Sequence, residues 1–518
     1  MEFGIWSLVP PVVAIVMCIV TRQVLLSLFL GTLIGGIMVF GGNIAAGFTQ
    51  SLSWIIESVT DSWNATILLF IFGIGGLIGL WALSGGSHGM ANALSRRVKG
   101  SRGAQLATYV SGWLMFLDDY ANAALVGTTY RPLSDKYRVS REKFSYIIDS
   151  TAAPVSAILF VTSWVGYEVG LIGDSLGNWA TMTPYMYFLQ SIPFRFYTLM
   201  ALVLVLIIIL WRRDYGPMLT AEHRARTTGK LLREGARPLG GEVKIDVVEK
   251  IKHRSHNMWV PLIVLVGMTV FSMWWTGGGP EGASFGDAIG NADAALSLFW
   301  GVMVAVIVTL GMNLGQRLGG LTRNMDAFSS GLRMMLFACT ILVLAWSIKA
   351  ACDAVGTAPY LVGVLEGMPV VWLPVGIFVV AGIVSFCTGT SWGTMGIIMP
   401  LAIPLAYAIG GDVVISISAV LTGAVFGDHC SPISDTTILS STFAGSDHID
   451  HVRTQLPYAL TAAILAAILY VLAGVGVPVI ALLAIGAGVL VGVVYILSKY
   501  WSKRTGIPQP LPEAGAEK

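Results

Sequence analysis

The chain has 518 residues, of which 55% are hydrophobic and only 12% charged, and its mean hydropathy is +0.75. A soluble domain carries about 25% charged residues, so this composition excludes a water-soluble globule. The formal net charge of +2 excludes a nucleic-acid partner as well, because such a partner demands a basic stripe.

Taken in order, apolar runs fall at 5–21, 24–40, 64–83, 145–166, 194–211, 258–275, 294–312, 334–350, 413–441, 456–475 and 477–498. At roughly 20 residues per crossing these give about eleven full transmembrane helices of an all-α polytopic membrane protein. Met1 to Ser7 has no positive charge and no small-residue cleavage site follows, so the first run is expected to be a retained helix. Residues 104–130 and 370–409 are apolar but interrupted by polar, Gly-containing stretches. Each reads as a re-entrant pair of short segments that enter and leave on one side.

The basic residues test this topology. All lie in loops on one side except Arg195 and Lys349, whereas the opposite loops carry acids such as Glu57, Asp61, Glu168, Asp174, Glu281, Asp287 and Glu366. The positive-inside rule makes the basic side cytoplasmic, with the N-terminus outside and the C-terminus in the cytoplasm, which suits a bacterial inner membrane. Arg195 opens the 194–211 run and is expected to snorkel to the outer interface; Lys349, one turn from Asp353, reads as half of a structural pair. Residues 212–256 read as a solvated, charged linker with room for one helix. His253, His256, His448 and His451 are expected to be exposed there and near Asp447 and Asp450, without a complete metal-ligand set. Cys18, Cys339, Cys352, Cys387 and Cys430 have no metal-type spacing and read as small apolar fillers.

A shift of about 270 residues superposes the interrupted regions, as expected of a transporter built from two inverted halves. It sets Phe116-Leu117-Asp118-Asp119-Tyr120-Ala121-Asn122 over Phe386-Cys387-Thr388-Gly389-Thr390-Ser391-Trp392. A slightly longer shift sets Thr151-Ala152-Ala153-Pro154-Val155-Ser156 over His429-Cys430-Ser431-Pro432-Ile433-Ser434. The domains expected are N-terminal helices (1–63), a first repeat (64–211), the linker (212–256), connecting helices (257–330), a second repeat (331–480) and a final helix remainder with tail (481–518).

Four polar stretches interrupt the apolar runs: 116–122, 149–156, 388–394 and 427–437. An acid at the centre of a span costs roughly 2.5–3.5 kcal/mol on insertion scales, so such clusters point to function. Their carboxylates, hydroxyls and freed carbonyls are oxygen ligands for a small hard cation such as Na⁺. Desolvated, mutually close acids also bind protons near neutral pH, so cation and proton compete for one site. The competing explanation, helix glue by Ser and Thr and acids capping helix ends, suits Ser440, Ser441 and Asp118; it suits Asp119, Asp428 and Asp435 poorly, because each has apolar neighbours on both sides. These three acids are the expected Na⁺ ligands, with Asn122 and Ser434 beside them in cation and proton binding. Thr388, Thr390, Ser391, Thr394, Ser431, Thr151 and Ser156 are the expected substrate-contacting hydroxyls. Gly389-Thr390-Ser391-Trp392-Gly393 also matches the G-x-S-x-G nucleophile elbow, with His429 an imaginable base, but that motif requires a strand before it.

The stretch Gly427-Asp428-His429-Cys430-Ser431-Pro432-Ile433-Ser434-Asp435-Thr436-Thr437 resembles the signature of the NhaC-type sodium/proton antiporter family, and Phe116 to Asn122 and Gly389 to Thr394 look like its accompanying motifs. The resemblance covers about residues 64–480. It implies secondary transport within the wider ion-transporter superfamily, no cofactor other than the Na⁺ handled, a homodimer and an elevator-like moving domain with paired hairpins. Carried over onto matching positions, it implies site roles for Asp119, Asn122, Ser391, Thr394, Asp428, Ser434 and Asp435. Some members of that family resemble exchangers of organic acids or amino acids. A Na⁺- or H⁺-coupled carrier of a small organic solute is therefore the alternative, with half-helix N-termini at Pro154 and Pro432 receiving an anionic group. No Arg or Lys is expected to grip a carboxylate.

Overall fold

The computed structural model describes residues 3–21, 23–86, 89, 93, 98–116, 119–159, 162–176, 181–239, 254–363 and 367–512. Arg22, Arg96, Arg97, Asp118, His253 and Glu366, singled out above, lie outside them. The fold is all-α. Among the described residues the extended pairing is confined to one isolated bridge, Pro238 to Asp447. Eight helices are long and apolar enough to cross a membrane, nine if the bent pair Pro184–Phe194 and Phe196–Trp211 counts as one span. The protein is therefore multi-pass.

Eleven unbroken crossings are not what forms. The first two runs make helices of 13 and 16 residues, Val9–Thr21 and Val24–Val39, shorter than the roughly 20 a full crossing needs. A third helix, Ile44–Thr60, was not expected, because its Ser, Thr, Gln and Glu dilute the apolar run. Asn43 caps it by accepting from the Ala46 N–H, and it lies against Val24–Val39 and Leu321–Ala354.

The expected crossings 145–166 and 413–441 are both broken. Arg141–Thr151 ends at Ala152, a single turn follows at Ala153–Ser156, and the chain resumes as Ser163–Leu176. Pro154 lies in the first turn of its short helix, where the missing N–H costs nothing. Val413–Cys430 ends at Ser431, whose extended backbone (φ −80°, ψ 132°) is what Pro432 imposes on the residue before it; Asp435–Ala444 then begins.

The two interrupted regions divide as Gly100–Leu114 with Asp119–Lys136, and Leu373–Thr388 with Ser391–Ala408. In the second, each half is long enough to cross by itself, unlike the short segments expected. Gly389 makes the division. It is left-handed (φ 69°), and a Cβ there would lie 2.5 Å from the Ile433 carbonyl; Thr390 then caps the next helix by accepting from the Gly393 N–H. Gly389→Ala is expected to cost about 1–3 kcal/mol from backbone strain alone, read as a lower melting temperature of the purified protein.

Three charged features differ from expectation. Arg195 does not snorkel: it is fully buried, 2.9 Å from the equally buried Glu168, and it donates to Ser191 Oγ and the Ala157 carbonyl. Glu168 is thus a helix residue in the core and not a loop acid. The 212–239 part of the linker is docked and not solvated. Its helix Pro217–Thr228 buries Glu222, which accepts from the Ser140 N–H and Oγ at 2.8 Å each, and Asp214 pairs with the buried Lys143 at 2.5 Å. His448 and His451 are buried, not exposed, because the helix His448–Gly474 turns their face into the core. Cys339, Cys352, Cys387 and Cys430 are buried free thiols, as fillers should be.

Candidate functional site

All four polar stretches coincide with the four helix breaks, and the breaks meet in pairs. In the first half, Asn122 Nδ2 donates to the carbonyls of Gly112 (2.7 Å), Met115 (3.2 Å) and Thr151 (2.8 Å), joining the end of one helix to the break in another. Ser156 Oγ reaches the Phe116 carbonyl at 3.4 Å. In the second half, Ser431 Oγ donates to the Phe386 carbonyl (2.7 Å) and the Asp435 N–H to the Gly389 carbonyl (3.4 Å). Ser156, Ser431 and the Thr151 hydroxyl, which bonds back to Ile147 and Ile148, are therefore occupied in holding the breaks. Thr388, Ser391 and Thr394 are buried at the second break, with Thr394 Oγ1 donating to the Thr390 carbonyl at 2.8 Å.

Between the two paired breaks lies a cavity of about 540 Å³. Asp119, Thr390 and Asp435 line it, together with Tyr120 and Trp392. Tyr120 joins the halves by donating to Asp435 Oδ2 at 2.6 Å, while Asp435 Oδ1 accepts from the Thr436 N–H at 2.8 Å. Asp119 Oδ1 accepts from Trp164 Nε1 at 3.1 Å. Tyr167 stacks on Trp392 with ring centroids 4.5 Å apart and donates to the Trp392 carbonyl at 2.8 Å.

Asp428 sits one layer behind Asp435, fully buried, accepting from Ser434 Oγ (2.7 Å) and Thr436 Oγ1 (3.1 Å). Ser434 also caps Asp435–Ala444, so one hydroxyl sets both the helix start and the carboxylate. Asn122 Oδ1 is buried with no hydrogen-bond partner among the described residues. An orphaned acceptor next to carboxylates is what an oxygen-liganded cation would complete. Tyr120→Phe removes the hydroxyl that holds Asp435 and is expected to weaken cation binding by about 1.5–3 kcal/mol, measured as a rise in the half-saturating Na⁺ concentration.

Sequence reading missed Trp164, Tyr167 and Trp346, which belong to apolar runs and become site residues only through packing. It also misjudged Lys349. That side chain pairs with Asp353 at 3.0 Å, as expected, but both line the cavity beside Glu57 and Asp61, so a basic group does face the site. The G-x-S-x-G match is preceded by the helix Leu373–Thr388, and His429 bonds Ser150 and Tyr197.

Residues 155–475 match the Na⁺/H⁺ antiporter family. The chain belongs to that family. It is a secondary-transport family of antiporters and not a family of enzymes. The chain is 34% identical to an uncharacterised protein of Haemophilus influenzae over 96% of both chains. It is 33% identical to the malate-2H⁺/Na⁺-lactate antiporter of Bacillus subtilis over 33% of this chain and 38% of that one. It is 32% identical to the Na⁺/H⁺ antiporter NhaC of Alkalihalophilus pseudofirmus over 29% of this chain and 32% of that one. The two relatives with named activities are thus matched over about a third of their length.

Proposed function

We propose that the protein exchanges Na⁺ for H⁺ across a bacterial cytoplasmic membrane. The observation that carries this reading is the pair of carboxylates, Asp119 and Asp435, facing one cavity with Asp428 behind them and the spare Asn122 oxygen alongside. Na⁺ is held by Asp119, Asp428 and Asp435 with Asn122 and Ser434, and the hydroxyls and carbonyls of Thr388 to Thr394 complete its shell. A proton replaces it on the carboxylates, so that the site is never left as a cluster of bare buried charges. Residues 64–211 and 331–480 serve as inverted repeats, supported by the matching order of their breaks, and an elevator-like movement in a homodimer is what family resemblance implies. The charge asymmetry of the loops supports an outside N-terminus and a cytoplasmic C-terminus. Everted membrane vesicles are expected to show Na⁺-dependent proton movement. Movement no greater than that of an Asp428→Asn control would sink the reading.

A second reading, a Na⁺- or H⁺-coupled carrier of a small carboxylate or amino acid, is favoured by Lys349 in the wall of a cavity far larger than one ion. A thermal-shift screen of the purified protein against cations, carboxylates and amino acids separates the two: stabilisation by organic solutes, abolished in Lys349→Gln, belongs to the second alone.

A further inference from the structure

One cluster of buried titratable groups lies outside the cation site. Asp149 accepts from Gln455 Nε2 (2.6 Å), Ser440 Oγ (3.0 Å), His451 Nε2 (3.3 Å) and Thr437 Oγ1 (3.4 Å), and all five residues are buried. His429 Nε2 stands 4.0 Å from the same carboxylate, its ring held between Ser150 Oγ (3.1 Å) and Tyr197 OH (2.6 Å). A carboxylate this deep must be paired with a cation or take up a proton, and the groups bonded to it that bear positive charge are imidazoles. Its charge is therefore tied to a proton on the acid or on a histidine, and the cluster titrates as a set. His451 Nδ1 and Gln455 Oε1 are both buried without a hydrogen-bond partner among the described residues.

The cluster also has an approach. A second cavity, of about 430 Å³, is lined by Arg233, Arg237, Asp447 and His448. His448 and His451 are three residues apart on the helix His448–Gly474, hence on one face. His448 Nε2 meets the Pro432 carbonyl (2.8 Å), in the break between Asp428 and Asp435. The two cavities flank opposite ends of Asp435–Ala444: Asp435 faces the first and Asp447, just past the other end, faces the second. Ten helical residues separate them by about 15 Å. Asp149 lies beside the middle of that helix, and Thr437 Oγ1 is 3.4 Å from both Asp149 Oδ2 and the Asp428 carbonyl.

We propose that Asp149 and His451 form a proton-binding relay, loaded through the Asp447–His448 cavity and delivering to the carboxylates that Na⁺ vacates. This rests on the Na⁺/H⁺ reading and says where its proton travels. The proton moves from His448 to His451 and Asp149, and leaves when the acids across Thr437 become bare. Other titratable groups facing the relay are Asp428, His429 and Cys430 from Val413–Cys430, and Tyr197 from Phe196–Trp211. Tyr146 lies on Asp149's own helix; beyond it are Tyr109 from Gly100–Leu114 and Tyr458, near Asp214. Asp119 and Asp435 face Asp428 from their own helices, Glu222 from Pro217–Thr228 is held by Ser140, and Lys143 is committed to Asp214.

The test uses the full-length protein in proteoliposomes, with Asp149→Asn and His451→Gln, the latter keeping a donor toward Asp149. Two fluxes are read: ²²Na⁺/Na⁺ self-exchange, which needs no proton, and Na⁺-driven proton movement across a range of pH. The relay predicts that both variants keep self-exchange and lose proton movement. Wild-type proton movement and pH profile in both variants would overturn it. So would loss of both fluxes from variants that melt like the wild type, because the pair would then belong to the cation site. A wild-type protein without Na⁺ self-exchange is a different failure: it removes the Na⁺ reading, and the relay with it.

Discussion

Asp435→Asn is expected to abolish Na⁺-dependent proton movement while leaving the protein folded. The substitution keeps the size of the side chain, an acceptor for the Thr436 N–H and a partner for the Tyr120 hydroxyl, so the helix start at Ser434 and the contact across the halves survive. What disappears is one negative charge at the cavity floor. A unit-charge pair at 4 Å is worth about 4 kcal/mol at an effective dielectric of 20, and this corresponds to roughly three orders of magnitude in Na⁺ affinity. The exchangeable proton is lost with it. Isothermal titration with Na⁺ reads the affinity, and a melting curve on the same sample reads the fold.

The second large effect lies away from the cavity. Arg195→Ala leaves Glu168 buried with no cation beside it, and breaking a buried pair from one side typically costs about 3–5 kcal/mol. The guanidinium also sits 4.7 Å from the centre of the Phe188 ring, so packing is lost as well. Removing the charge from both partners, Arg195→Met with Glu168→Gln, is expected to recover much of the stability, because no uncompensated charge remains. Melting temperatures of the single and double variants in detergent check this. A single variant as stable as the wild type would show that water reaches Glu168.

What could be read from the sequence follows a physical division. Polar residues within apolar runs stand out because lipid makes them costly, and this located Asp119, Asn122, Asp428, Ser434 and Asp435 beside the breaks. Gly389 and Pro432 announced their breaks through backbone chemistry alone. The linear pattern could not tell an interrupted crossing from a complete one, so 145–166 and 413–441 were taken as single spans. Nor does it say which neighbour a charge meets in space. Arg195 and Glu168 are 27 positions apart in the chain, and their pairing changes a snorkelling side chain into a core one. Asp149 collects its partners from three helices, and only the spacing of His448, His451 and Gln455 at intervals of three and four hinted at a shared buried face. Trp164 and Tyr167 give no signal in sequence, because an aromatic residue in an apolar run looks like any core residue until packing aims it at a cavity.

The most direct test of the account is Na⁺-driven proton movement in proteoliposomes that contain only this protein, followed with a trapped pH dye and compared between wild type and Asp435→Asn. The account predicts that an imposed Na⁺ gradient drives protons the opposite way in the wild type, saturably in Na⁺, and that the variant shows none. Absence of Na⁺-driven proton movement in the wild type, or an equal rate in Asp435→Asn, would contradict it.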